Sequence, residues 1–400
     1  MLGAILGDII GTPYEKNNTS SKNFTLFLTP SRFSEGTVMS LAVAEGLIKG
    51  YGSTRKTRIA IAKSMKELYK LYPRFKYGEN MSNWLESETP KPFNFSGNEA
   101  AIRSSACAWV YNSLKYVEFY AEITAKMTHN NSEAVKATKA LCASIFLARQ
   151  GVDKEYIKSY IEDVYYYDLS KSSEILRATN PKTKEAKYTF PLAFVSFYEG
   201  NSYEEVIRIA VSLGGDSAGI ATMAGSIAEA YYTIPEEISK NVDTILDDRL
   251  KTILKDYRDN LDKIRQKRKQ KFDKLMESKA FFDKKSKTEW FAPKPIDNQK
   301  PFPYPRYGEE VNFMESLCQD MDFGDFSYED TLYRYGLENA ELDVYLKKAK
   351  EAPPYMLKAM LTDIVRQERF VDGNIADAIR FGVISEILES LEKSITYRMF

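Results

Sequence analysis

Between Trp290 and Tyr307 the chain reads Phe-Ala-Pro-Lys-Pro and then Pro-Phe-Pro-Tyr-Pro. Proline fixes φ and lacks an amide hydrogen, so this stretch can hold neither a long helix nor a central strand. It gives a chain of 400 residues, already too long for one ordinary core, a place to divide. The expected organisation is a large domain over residues 1–245, a charged helix and Pro/aromatic linker over 246–307, and a small domain over 308–400.

The first part reads as helix after helix. Val38 to Ile48 is apolar on most faces, as a helix buried in a multi-helix core requires. Ser132 to Arg149 sets Val135, Ala140, Leu141, Ile145 and Leu147 at helical spacing. Its first turn is expected to be capped by the Ser132 hydroxyl and favoured by the Glu133 charge. Ile207–Leu213 and Ile220–Tyr232 flank a Gly-Gly-Asp-Ser turn at 214–217. Strand-type alternation is scarce, so the fold class is all-α. Leu250 to Phe282 is a charged helical stretch with a basic run at Lys263–Lys274. Acidic neighbours and the lack of interleaved glycine or aromatic residues favour a solvated helix over a nucleic-acid arm. Beyond the linker, Phe313–Leu317 and Met356–Gln367 look like amphipathic helices, and Gly373 and Gly382 fall at turns or helix ends. Arg366, Glu368 and Arg369 read as a structural salt-bridge network.

The formal net charge of zero gives no general electrostatic case for nucleic acid or an anionic membrane. Cys107, Cys142 and Cys318 are scattered, which fits a reducing compartment and no structural zinc. Asp8 interrupts the apolar start within about two helical turns, too soon for a signal peptide or a spanning helix. A soluble, cytoplasmic protein is expected. His129 is the single histidine, so no histidine-rich metal site can be built.

Four separated motifs carry the chemistry. The first is Gly3-Ala-Ile-Leu-Gly7-Asp8-Ile-Ile-Gly11-Thr12-Pro13-Tyr14-Glu15, in which Glu15 is expected to leave a helix as a free carboxylate. The second, Phe33-Ser34-Glu35-Gly36-Thr37, opens a buried helix. The third is Gly97-Asn98-Glu99-Ala100-Ala101-Ile102-Arg103, with Thr128-His129-Asn130 further on. The fourth, Ser212-Leu213-Gly214-Gly215-Asp216-Ser217-Ala218-Gly219, is a glycine turn leading into a helix.

In this order and at these separations the motifs resemble the ADP-ribosylglycohydrolase family, enzymes that remove ADP-ribose from proteins and small acceptors. The resemblance runs from Met1 to about Ile238 and includes Ile145–Arg149 and Ala228–Glu237. It implies an orthogonal all-helical bundle. It also implies paired magnesium or manganese ions, held by a Thr-Asp-Asp turn and an Asp-Ser-Asp-Thr turn, since hard cations take oxygen ligands.

Here the pattern departs. Ser34 keeps a hydroxyl and Glu35 a carboxylate, but Gly36 supplies nothing. Asp216 is kept, whereas Ala218 and Gly219 replace an aspartate and a threonine. Ser34, Glu35 and Asp216 are therefore expected to form at best a weak or vestigial Mg²⁺ site. The resemblance assigns catalytic positions to Glu15 and Asp216. It assigns ligand contacts to Gly97, Asn98, Glu99, Arg103, His129, Gly214, Gly215 and Ser217. Glu99 stands where the family has a glycine, and its charge would oppose a diphosphate.

The expected function is a degenerate glycohydrolase-like protein that binds ADP-ribose, an ADP-ribosylated partner or a related nucleotide, with metal-dependent hydrolysis lost or strongly impaired. Two alternatives stand beside it. One is an interaction or inhibitory protein that uses the bundle as scaffold and the C-terminal domain for binding. The other is an active hydrolase with a one-metal or metal-free site. The C-terminal part resembles an uncharacterised small, mainly helical domain. That resemblance gives no chemistry and leaves a surface for a protein partner. Neither membrane nor nucleic acid is an expected partner.

Overall fold

The computed structural model describes residues 1–29, 31–283, 289–291, 304–320, 323–325 and 327–400. Among these residues the regular secondary structure is almost entirely helical, as the periodicity predicts. Contacts divide the chain into two compact units. One comprises Met1–Tyr111 and Tyr116–Lys263, the other Asn112–Lys115 and Ile264–Phe400.

At the heart of the first unit, helix Leu2–Gly11 lies against helix Ser217–Tyr231. The spacing Gly3, Gly7, Gly11 puts three residues without side chains on one face. A Cβ added at Gly7 would sit 2.1 Å from the Ala221 carbonyl oxygen, and one at Gly11 would sit 2.6 Å from the Ala218 Cα. The two backbones meet because neither helix presents bulk there. Helices Ser132–Arg149, Ala186–Glu199 and Tyr203–Ser212 pack around Ser217–Tyr231. The first of these is capped by Asn131, not Ser132: the Asn131 Oδ1 accepts from the amides of Glu133 and Ala134. An amide side chain one residue earlier reaches the free amides that the Ser132 hydroxyl was expected to serve.

Helix Asp248–Glu277 is the charged helix expected at the start of the 246–307 stretch, but it is not the solvated one expected. Leu250, Ile253, Leu254, Tyr257 and Leu261 are buried, an i, i+3, i+4 stripe hidden among charges. Farther on, Phe272, Leu275 and Phe282 join the core of the second unit. The division thus falls at Lys263/Ile264, earlier than residue 308. Within the basic run, Arg268 is buried and donates to the Phe400 carbonyl oxygen at 2.8 Å, and Lys269 pairs with Asp273 at 2.6 Å. Of the proline-rich segment, residues 292–303 lie outside the described residues. Its flanks Glu289–Phe291 and Tyr304–Arg306 pair as a short antiparallel ladder.

The second unit is built round helix Pro354–Gln367, packed by Glu309–Cys318, Tyr328–Arg334, Asn374–Arg380 and Val383–Ser394. Gly373 and Gly382 stand at φ 91° and 76° before the last two of these helices. That left-handed backbone favours glycine. Glu368, expected in a salt-bridge network, instead accepts from the amides of Gly373 (2.8 Å) and Ile375 (2.7 Å) and from the Tyr307 hydroxyl (2.7 Å). Its carboxylate therefore stitches a helix start to Tyr307. All three cysteines are buried and free. Among the described residues, no helix is long and apolar enough to cross a membrane.

Candidate functional site

The first unit holds a cavity of about 210 Å³ where the four motifs converge. Its floor is set by Asp8, which the apolar first helix carries into the interior. The Asp8 carboxylate accepts from the Ser34 amide (2.8 Å), the Ser34 hydroxyl (2.5 Å) and the Thr37 hydroxyl (2.6 Å). Burial raises its pKa, and these donors pull against that rise. Ser34 also caps helix Glu35–Lys49, accepting from the Gly36 amide at 3.0 Å. The second motif is thereby fastened to the first helix.

The opposite wall is the glycine turn. Gly214 and Gly215 lie at φ 72° and 73°, where side chains are strained. The Gly215 amide donates to Asn18 Oδ1 at 2.9 Å, and Asn18 Nδ2 donates to the Tyr14 carbonyl at 2.6 Å. Asn18 thus ties the turn to the segment that bears Glu15. Asp216 occupies the N-cap position of helix Ser217–Tyr231, yet its side chain makes no capping bond. It accepts instead from Asn98 Nδ2 at 2.7 Å and pairs with Lys184 Nζ at 3.4 Å. A cap would have kept this carboxylate at the backbone; here it faces the cavity.

Lys184 also lies 3.3 Å from Glu15 Oε1, so Glu15 is not the free carboxylate expected. Burial drives the Glu15 pKa up to about 7; Lys184 opposes the rise and Asp216 adds to it. Glu35 is raised by burial as well, with Asp8 and Asp216 nearby adding repulsion. Lys184 is pushed above its ordinary value: burial opposes the charge, and Asp216, Glu15 and Glu35 more than offset it.

Behind the cavity runs a polar chain. Buried Arg103 donates to the Thr128 hydroxyl at 2.5 Å, and Thr128 stands 2.7 Å from His129 Nδ1. His129 Nε2 lies 3.6 Å from Glu99 Oε2. With Thr128 accepting from Arg103, its own proton is available to Nδ1, which leaves the imidazole N–H on Nε2, towards Glu99. Burial lowers the His129 pKa and favours the neutral ring. Burial also opposes ionisation of Glu99, but the nearby His129 side chain and the helix amide prevail and hold it below the usual range.

The cavity therefore collects Glu15, Ser34, Glu35, Asn98, Glu99, Arg103 and Asp216 among the residues that the motifs single out. Gly97, His129, Gly214, Gly215 and Ser217 do not line it. Gly215 borders an adjoining recess with Glu15, Lys184 and Asp216, and Ser217 donates to the Tyr14 carbonyl at 3.3 Å. Asp8, Thr37 and Lys184 are the functional candidates that the motif reading passed over. An aspartate inside an apolar helix was a usable signal for Asp8. Lys184 sits in an ordinary polar stretch, Pro-Lys-Thr-Lys, and only long-range backbone pairing brings it in: the Asn98 amide donates to the Lys184 carbonyl (3.0 Å), and the Ala186 amide to Ser96 (2.7 Å). Among the described residues, no group of three or more His, Cys, Asp or Glu side chains is arranged to hold a metal ion.

A helical bundle with an acid-lined cavity between two helix-opening turns defines the class of protein. The chain belongs to the ADP-ribosylglycohydrolase family, whose model matches residues 1–271. Residues 269–396 match a family of unknown function, DUF6508. Among curated relatives, an uncharacterised protein of Archaeoglobus fulgidus is 31% identical over 153 residues, 34% of this chain and 50% of that protein. The chain thus spans half the length of that relative. ADP-ribosylhydrolase ARH3 of Gallus gallus is 24% identical, covering 58% of this chain and 84% of its own. ADP-ribosylarginine hydrolase Tri1 of Pseudomonas putida is 23% identical, covering 60% and 72%. A solved structure titled ADP-ribosylglycohydrolase-related protein complex superposes with a TM-score of 0.50 at 19% identity, over 65% of this chain and 95% of that one. At that identity the likeness establishes the fold.

Proposed function

We propose that this chain binds ADP-ribose, free or attached to a protein, without the metal-dependent hydrolysis that its motif departures remove. The observation that carries the reading is the convergence of Glu15, Asn98 and Asp216 on one cavity in a fold of this family. Pockets of about 300–1,000 Å³ hold drug-sized ligands, so 210 Å³ suits the terminal ribose and not the whole of ADP-ribose. Carboxylates accept from ribose hydroxyls, and Lys76 and Lys184, which line the same cavity, offer positive charge to the diphosphate. A magnesium ion, if bound, would supply Lewis acidity and an activated water. The donor set fits it poorly. Gly36, Ala218 and Gly219 bear no side-chain oxygen, and the Ser34 hydroxyl is committed to Asp8. Titration calorimetry with ADP-ribose, in magnesium and again in EDTA, tests the reading. Equal affinity in both is expected, and no heat at millimolar ligand overturns it.

A second reading draws on Glu15. An acid with a pKa of about 7 is poised for proton transfer at neutral pH, and a second carboxylate stands by in Asp216. Paired carboxylates support glycosidic cleavage without metal. Release of ADP-ribose from a modified protein in EDTA, abolished in Glu15→Gln, would establish it. Absence of release by the wild type disposes of it.

A further inference from the structure

We propose that Lys184 is a tethered cation: its ammonium group supplies, from within the chain, the positive charge that holds the Glu15 and Asp216 carboxylates together, and so makes the cavity independent of divalent metal. This deepens the reading of the cavity as an ADP-ribose site.

The geometry places Nζ 3.3 Å from Glu15 Oε1 and 3.4 Å from Asp216 Oδ1. The two carboxylates come from turns about two hundred residues apart in sequence, and like charges brought together without a counter-ion repel. Lys184 is delivered by a segment fastened on both sides. The Asn98 amide donates to its carbonyl at 3.0 Å, and the Ala186 amide donates to Ser96 at 2.7 Å. Upstream, Asn180 Nδ2 donates to the carbonyls of Leu213 and Gly214 at 3.0 and 3.1 Å, which locks the same segment to the glycine turn.

Of the oxygens that a metal would use, those of Asp8, Ser34 and Asp216 are already engaged, which leaves the Glu35 carboxylate at the cavity wall. Asp8 is saturated by Ser34 and Thr37, and Asp216 Oδ2 accepts from Asn98. A Cβ at Gly219 would lie 2.2 Å from Asp216 Oδ2, so the carboxylate has settled where a side chain at 219 would stand. The remaining Asn98 oxygen is buried without a hydrogen-bond partner, a polar atom left for a ligand at the cavity wall. Magnesium demands near-octahedral oxygen coordination and gives up its waters reluctantly, so it must displace the ammonium to enter. The ammonium is not sealed in, since the Lys184 side chain is 56% exposed, so a metal ion can reach the carboxylates once the ammonium is gone. Its effect is therefore measurable by removing it.

The experiment titrates Mn²⁺ alone into the full chain and follows bound ion by water-proton relaxation. Wild type is expected to show only binding weaker than millimolar. Lys184→Ala is expected to gain at least tenfold in Mn²⁺ affinity, using the carboxylates it frees, and Lys184→Arg is expected to gain nothing. Should Lys184→Ala fail to fold by circular dichroism, Lys184→Met keeps an unbranched side chain of similar reach without the charge and gives the same readout. Tight Mn²⁺ binding by the wild type, or no gain in a folded neutral variant, overturns the proposal. The outcome is independent of ADP-ribose: a calorimetric null with that ligand would sink the proposed function and leave the manganese result standing.

Discussion

Asp216 in the first unit and Asp325 in the second are both buried aspartates, 5% and 6% exposed, yet they are satisfied in opposite ways. Asp325 is served mainly by its neighbours in sequence. It accepts from the Ser327 amide at 2.8 Å and the Thr331 hydroxyl at 2.9 Å, and burial pushes its pKa up to about 6. Such a carboxylate closes a turn. Asp216 declines the cap available to it and takes Asn98 and Lys184, which lie far away in sequence, across a cavity. The difference teaches that two equally buried acids can be told apart by where in the sequence their partners come from.

That contrast can be broken by exchange of roles. Asp325→Ala should cost about 1–3 kcal/mol of stability, because it takes the acceptor from the Ser327 amide and one of two partners from the Thr331 hydroxyl, while ADP-ribose affinity stays at the wild-type value. Denaturant unfolding and calorimetry on the same sample check both halves. Asp216→Ala should do the reverse: affinity for ADP-ribose falls at least tenfold, about 1.4 kcal/mol, with a smaller loss of stability. Equal stability losses in the two variants would erase the distinction.

The smallest effect is one of pH, and Glu15 sets its sign. Its folded pKa of about 7 lies above the ordinary 4.5, so folding favours the protonated form. The stability this contributes is fully present below about pH 4.5 and is lost as pH rises through 7. An anionic diphosphate shares that preference, so ADP-ribose should bind a few-fold more tightly at pH 6 than at pH 8. Glu15→Gln should flatten both profiles, read by thermal unfolding and by calorimetry. A slope that survives in that variant assigns the titration to another group, such as Glu35.

Much of the fold was legible in the sequence because helical periodicity is local. Val38–Ile48 and Met356–Gln367 fall inside helices Glu35–Lys49 and Pro354–Gln367. The start of the second unit was hidden, since Phe272 and Leu275 sit among lysines that read as a solvated face. At the site, each motif alone is weak, and it is their order and separation, as a resemblance to a family, that singled out residues of which seven reach the cavity. Lys184 could not be found that way. A lysine in a polar loop has no pattern, and its placement depends on backbone bonds from residues 96 and 98 that only the folded chain supplies.

A crystal of the full chain soaked with magnesium and ADP-ribose would test the central claim most directly. Density for a ribose beside Asp216, with the Lys184 ammonium still between the carboxylates, is the predicted result. A pair of bridged divalent ions at Glu35 and Asp216, with the lysine displaced, would contradict it.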